Sequence, residues 1–182
     1  MKAWAASAVL AALLAACAAV PLAPRDAQPF DLLGRILVTY SSGALTANLR
    51  WEHTADEDHI WLMTPTGQTL AYIEDSAQGA TLTRADQTQY RASSVEELTR
   101  QALGWSLPLS LLQYWVRGQA APGRAEIERG ADGRVVALTQ HGWRVAFNYY
   151  SEGETIGLVR RLELTDGSNE IRLVIDTWRS VT

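Results

Sequence analysis

Along most of this chain apolar and polar residues alternate one by one. In residues 46–51 the side chains of Ala47, Leu49 and Trp51 interleave with Thr46, Asn48 and Arg50, and in residues 143–150 Trp143, Val145, Phe147 and Tyr149 share a face. Successive side chains of a strand point to opposite faces, so a period of two predicts half-buried strands. Runs of the same kind occupy 35–40, 59–64, 69–74, 80–84 and 88–92, then 124–128, 133–139, 158–165 and 170–178. Turn signals separate them at Pro65-Thr66-Gly67, Asp132-Gly133, His141-Gly142 and Asp166-Gly167. Connections this short join antiparallel neighbours, which predicts a meandering sheet of about eleven strands.

The middle of the chain breaks the alternation. Ser94 and Glu97 have the spacing of a capping box, Val95, Leu98 and Ala102 recur at helical intervals, and Gly104 supplies a stop. Pro108 suits a first helical position, Leu111 and Trp115 fall one turn apart, and Gly118 ends a second helix. A sheet this wide curls, and two apolar helices over its concave face would bury what the curl leaves open. The expected fold is mainly β with an α lid: a single antiparallel curled sheet of about eleven strands, forming an open, incomplete barrel.

At the amino terminus the pattern is different again. MKAWAASAVLAALLAA carries one charge at Lys2 and then an alanine- and leucine-rich run, the plan of a secretory signal peptide and shorter than the ~20 residues of a membrane span. The next four-residue unit, Leu14-Ala15-Ala16-Cys17, resembles the bacterial lipobox, in which the cysteine thiol is acylated, the bond before it is cut and the new amino terminus is acylated as well. Cys17 is the only cysteine, so no internal disulfide competes for it. One acyl chain anchors marginally and two or more anchor stably, which makes Cys17 the expected lipid anchor. By the same resemblance Ala18, where inner-membrane lipoproteins commonly carry aspartate, points to the periplasmic face of the outer membrane. Residues 18–29, AAVPLAPRDAQP, hold three prolines and read as a tether. The organisation is therefore a signal peptide at 1–16, a lipidated cysteine and tether at 17–29, and one domain at 30–182.

Charge and candidate chemistry narrow the function. A formal net charge of -4 without a basic cluster argues against nucleic acid. His53 and His59 flank Asp56, Glu57 and Asp58, but the segment reads as a solvated hairpin loop whose spacing fits no zinc pattern, so no metal is expected. There is no G-x-S-x-G elbow, residues 41–45 read as a turn rather than a phosphate cradle, and His141 belongs to a turn. Neither an enzyme nor a cofactor is expected. Seven tryptophans are present, Trp4 within the signal segment and Trp51, Trp61, Trp105, Trp115, Trp143 and Trp178 beyond it. A filled core and an apolar ligand cavity both fit these aromatics.

Taken in order, the lipobox at Cys17, Phe30 with Gly34-Arg35, Trp51, Pro65-Thr66-Gly67, WSLPLSLLQYWVRG from Trp105 to Gly118, QHGW from Gln140 to Trp143 and LELTDGSNEIRLVIDTW from Leu162 to Trp178 resemble the LolB family of bacterial lipoprotein receptors. The resemblance implies an open half-barrel with a helical lid over an apolar cavity. It also implies a monomer that takes lipoproteins from a LolA-like periplasmic carrier and places their acyl chains in the outer membrane. On that reading the cavity is lined from the strands by Leu49, Trp51, Ile60, Leu62, Tyr72, Trp143, Val145 and Phe147. The lid contributes Trp105, Leu107, Leu111 and Trp115. Pro65, Thr66 and Gly67 form a hairpin tip that the family uses to enter the bilayer. Family members commonly carry leucine between the proline and the glycine, so Thr66 is expected to insert weakly unless neighbours such as Leu62 and Met63 assist. A lipocalin-like carrier of a small apolar ligand and a structural envelope lipoprotein without ligand are the alternatives.

Overall fold

The computed structural model describes Arg25, residues 28–153 and residues 155–179. The signal segment, Cys17 and most of the tether lie outside the described residues. Six strands come first: β1 (Phe30–Tyr40), β2 (Gly43–His53), β3 (Glu57–Met63), β4 (Thr69–Ser76), β5 (Gly79–Arg84) and β6 (Gln89–Ala92). Two helices follow, α1 (Val95–Leu103) and α2 (Leu109–Trp115). Five further strands complete the domain: β7 (Glu126–Arg129), β8 (Val135–Gln140), β9 (Trp143–Tyr149), β10 (Val159–Thr165) and β11 (Glu170–Arg179).

All eleven strands form one sheet in the order β6-β5-β4-β3-β2-β1-β11-β10-β9-β8-β7. Each pairs antiparallel with its neighbours, and β1 against β11 joins the two halves. The sheet does not close, since β6 and β7 are its two edges. The helices lie between these edge strands in the chain, so the connection that bridges the opening is itself the lid. At one edge, β7 is short and exposed throughout, with Glu126, Glu128 and Arg129 discouraging pairing with another chain.

Local chemistry explains the elements. Where β1 shifts register against β11, between Leu33 and Gly34, a Cβ on Gly34 would lie 2.2 Å from the Val174 carbonyl oxygen. Only glycine lets the two strands approach there. Ser94 accepts the Glu97 N–H to cap α1, and Gly104 at φ 81° closes it by donating to the Arg100 carbonyl. Pro108 stands just outside α2 and offers no side-chain cap; the Glu96 carboxylate instead accepts the Ser110 N–H at 3.0 Å.

One loop assigned from sequence does not exist as such. Thr54 to Asp56 form the turn, held by the Thr54 N–H to the Glu57 carbonyl at 2.9 Å, while His53 and Asp58 pair across β2 and β3 and are buried. They occupy the same inward parity as Leu49, Trp51 and Ile60, a placement that their polarity conceals. The core spans the concave face of the sheet and the underside of the helices, from Phe30 to Ile175. Among the described residues every strand and helix lies in Phe30–Arg179, all of it within the chain from Ala18 onward.

Candidate functional site beneath the helical lid

Strand parity sets the concave face. β2 and β3 turn Leu49, Trp51, Ile60 and Leu62 inward, β9 turns Trp143, Val145 and Phe147 inward, and the helical segment brings Trp105, Leu107, Leu111 and Trp115 down onto them. These eleven residues are all buried in one connected apolar cluster. Tyr72 is not among them. An extra residue in β4 at Leu70 shifts the register, so Ala71 and Ile73 face inward and Tyr72 pairs with Trp61 on the convex side. There its ring stacks on His59 at 6.0 Å and its hydroxyl lies 2.5 Å from His59 Nδ1.

The cluster also contains residues that the sequence reading did not single out. Ile36, Val38, Ile73, Leu82, Leu138, Leu162, Leu164, Ile171 and Leu173 are buried within it. The alternation Leu162/Leu164 and Ile171/Leu173/Ile175 was the available signal. These side chains lie between lid and sheet; Trp51 and Trp115 are among the largest that solvent does not reach. Most of this apolar surface is shielded from solvent.

Two buried polar clusters flank this core. Gln140 of β8, buried, accepts the Trp115 indole N–H at 3.1 Å and the Ala121 N–H at 3.0 Å, and donates to the Ala121 carbonyl at 2.7 Å. One side chain therefore ties the end of the lid to the sheet. At the other side, Asp58 accepts the Trp51 indole N–H at 2.6 Å, lies 2.7 Å from His53 Nδ1 and receives Arg25. Arg25, within the segment read as a tether, also donates to Asp75 at 2.6 Å. Burial pushes the Asp75 carboxyl up, more than the neighbouring Arg25 guanidinium pulls it down, and Asp58 and Glu96 add to the rise. A half-open cleft of about 350 Å³ lies beside this cluster, between the β2–β3 turn and the helices, with Ser94, Ser110 and Gln113 on its wall.

The β3–β4 connection presents its tip to solvent. Thr64 donates to Gln68 at 2.8 Å, Gly67 donates to Thr64 at 2.9 Å, and Gly67 at φ 87° needs the freedom of glycine. Thr66 lies 2.8 Å from the Thr64 hydroxyl, so its Oγ1 is engaged within the turn. Leu62 points into the core and is unavailable to the tip, whereas Met63 is half-buried and Leu70 is exposed beside it.

Among the described residues no group of His, Cys, Asp or Glu could hold a metal ion, and no helix is long and apolar enough to cross a membrane. What the fold defines is a lidded antiparallel half-barrel with a largely apolar concave face. The sequence profile described as "Outer membrane lipoprotein LolB" matches residues 28–178. Proteins titled outer-membrane lipoprotein LolB match from Nitrosomonas europaea, 37% identical over 158 residues covering 85% of this chain and 74% of that one, and from Thiobacillus denitrificans, 34% identical over 187 residues covering 99% of both. A third, from Azoarcus sp., is 32% identical over 176 residues covering 93% of this chain and 91% of its own. A solved LolA superfamily protein from Nitrosomonas europaea superposes with a TM-score of 0.49 at 6% identity, over 87% of this chain and 90% of that one. The chain belongs to the LolB family.

Proposed function

We propose that this protein is an outer-membrane receptor in lipoprotein sorting: it accepts the acyl chains of lipoproteins from a LolA-type periplasmic carrier beneath its lid and releases them into the outer membrane. The observation that carries the reading is the continuous apolar cluster shared by the concave face and the helices, in a chain of the LolB family. An acyl chain of a dozen or more methylenes left in water costs on the order of 10 kcal/mol at about 0.8 kcal/mol each, so it must pass from cover to cover. A closed interior meets the complementary need of the empty receptor, which would otherwise expose Trp51, Trp105, Leu111 and Trp115 to the periplasm.

Loading then exchanges contacts. Lifting the helices removes Leu111 and Trp115 from the sheet, and acyl methylenes take their place, so the apolar surface in water changes little between the empty and the loaded state. Transfer runs downhill by differential affinity, with no bond made or broken. Cys17, acylated, fixes the domain near the bilayer that receives the cargo, and the hairpin tip at Pro65, Thr66 and Gly67 is the part that reaches it.

The test is displacement of a fluorescent fatty-acid probe from the chain beginning at Ala18, together with uptake of a lipoprotein held by the carrier. The parent should do both. Leu111→Glu places a carboxylate against the acyl chain, which must be desolvated or protonated, and should weaken probe binding tenfold or more while circular dichroism stays that of the parent. Parent protein that binds no probe supports a scaffold without ligand; probe binding without uptake from the carrier supports a small-ligand protein. Either result overturns the proposal.

A further inference from the structure

Three indoles in this protein have acceptors among the described residues. Trp51 donates to Asp58 at 2.6 Å, Trp115 to Gln140 at 3.1 Å and Trp178 to the Val159 carbonyl at 3.0 Å. Trp105 Nε1 is buried and has no acceptor among the described residues. An unsatisfied buried donor is costly, and the surroundings usually evolve to supply a partner. Here the loop is built to prevent adjustment.

The segment between the helices is pinned on both sides of Trp105. Gly104 donates to the Arg100 carbonyl at 3.2 Å, the Ser106 hydroxyl donates to the Glu96 carbonyl at 3.1 Å, and the Leu107 N–H donates to Thr99 Oγ1 at 2.9 Å. Thr99, buried in α1, passes its own hydrogen to the Val95 carbonyl at 2.8 Å. These bonds fix the backbone of residues 104–107 onto α1, so Trp105 moves with the lid as one piece.

We propose that the Trp105 indole N–H is a recognition point for a neutral carbonyl oxygen, the ester or amide carbonyl of an acylated lipid whose chains occupy the space under the lid. This rests on the acyl-binding reading and names the headgroup atom that reading left open. The chemistry follows from the donor and its surroundings. An indole nitrogen can only donate, so its partner must bring an acceptor. The neighbourhood is the apolar cluster, where a carboxylate would carry a heavy desolvation cost and a carbonyl a small one. An acylated glyceride or an acylated cysteine carries such a carbonyl at the head of each chain; a plain hydrocarbon does not.

The experiment compares dioctanoylglycerol with its dioctyl ether analogue, which has the same chains and no carbonyl, as competitors for a fluorescent fatty-acid probe on the chain from Ala18. The parent should favour the ester about fivefold, the contribution of one net hydrogen bond. Trp105→Phe, and Trp105 replaced by the isosteric benzothienyl amino acid that keeps the bicyclic ring but lacks the N–H, should bring the two competitors to within twofold. Without ligand, the isosteric variant should unfold at the same or a higher urea concentration, because an unsatisfied donor has been removed. A merely structural Trp105 would lower both affinities together and leave the ratio as in the parent. That unchanged ratio, also expected if a bound water occupies the nitrogen, overturns the proposal. If neither competitor binds the parent, the acyl-binding reading falls, and this proposal with it.

Discussion

Gln140→Leu removes the fastening between lid and sheet while nearly preserving side-chain volume, so the expected loss comes from hydrogen bonds rather than from a cavity. Three bonds disappear, leaving the Trp115 N–H, the Ala121 N–H and the Ala121 carbonyl without their partner. Each buried group so orphaned costs about 1–3 kcal/mol. Burial of an apolar in place of a polar side chain returns about 1.5–3 kcal/mol. Three such groups cost about 3–9 kcal/mol, so the net expectation is a destabilisation centred on about 4 kcal/mol, and at about 2–4 °C per kcal/mol for a domain of this size the melting temperature should fall by roughly 8–16 °C. Urea titration followed by tryptophan fluorescence measures it, with a lowered midpoint at unchanged slope as the signature of a change in stability alone. Stopped-flow mixing with the fatty-acid probe supplies the functional half: a loosened lid should admit the probe faster than in the parent. A stability loss under about 1 kcal/mol together with an unchanged association rate would show that Gln140 does not hold the lid.

Three further expectations follow from other parts of the molecule. Cys17→Ala should leave a folded domain that still accepts lipoproteins from the carrier but no longer sediments with outer membranes, and equal membrane fractions for variant and parent would remove the anchor from the reading. Thr66→Leu should release a lipoprotein into liposomes several-fold faster than the parent and Thr66→Glu slower, with loading unchanged in both; equal release rates in all three would take the tip out of the mechanism. Because burial raises the Asp75 carboxyl, the folded chain holds that proton more tightly than the unfolded one, so the group's contribution to stability is present at low pH and is lost as pH rises through the window just above the ordinary aspartate range. Asp75→Asn should flatten urea midpoints measured across that window, and a slope identical to the parent's would refute the assignment.

The period of two along the strands, the punctuation by Asp-Gly and His-Gly pairs, and the caps at Ser94 and Gly104 are local properties, and each was legible without coordinates. They determine eleven strands and two helices, because strand alternation and helix capping depend on residues a few positions apart. The meander order followed as well, since short turns leave antiparallel neighbours little choice. Local pattern does not say which of two alternating sets faces inward once a register shifts. Leu70 and Tyr72 looked as suitable for the core as Ala71 and Ile73, and only the extra residue of β4 against β3 decided the matter. The inward pairing of His53 with Asp58, the seating of Arg25 on Asp58 and Asp75, and the three bonds of Gln140 were equally out of reach, because each joins residues that only the tertiary structure brings together. For the same reason sequence leaves open the choice between a filled core and an apolar cavity: packing is a property of all the facing side chains at once, and only the folded chain brings these tryptophans and leucines together between lid and sheet.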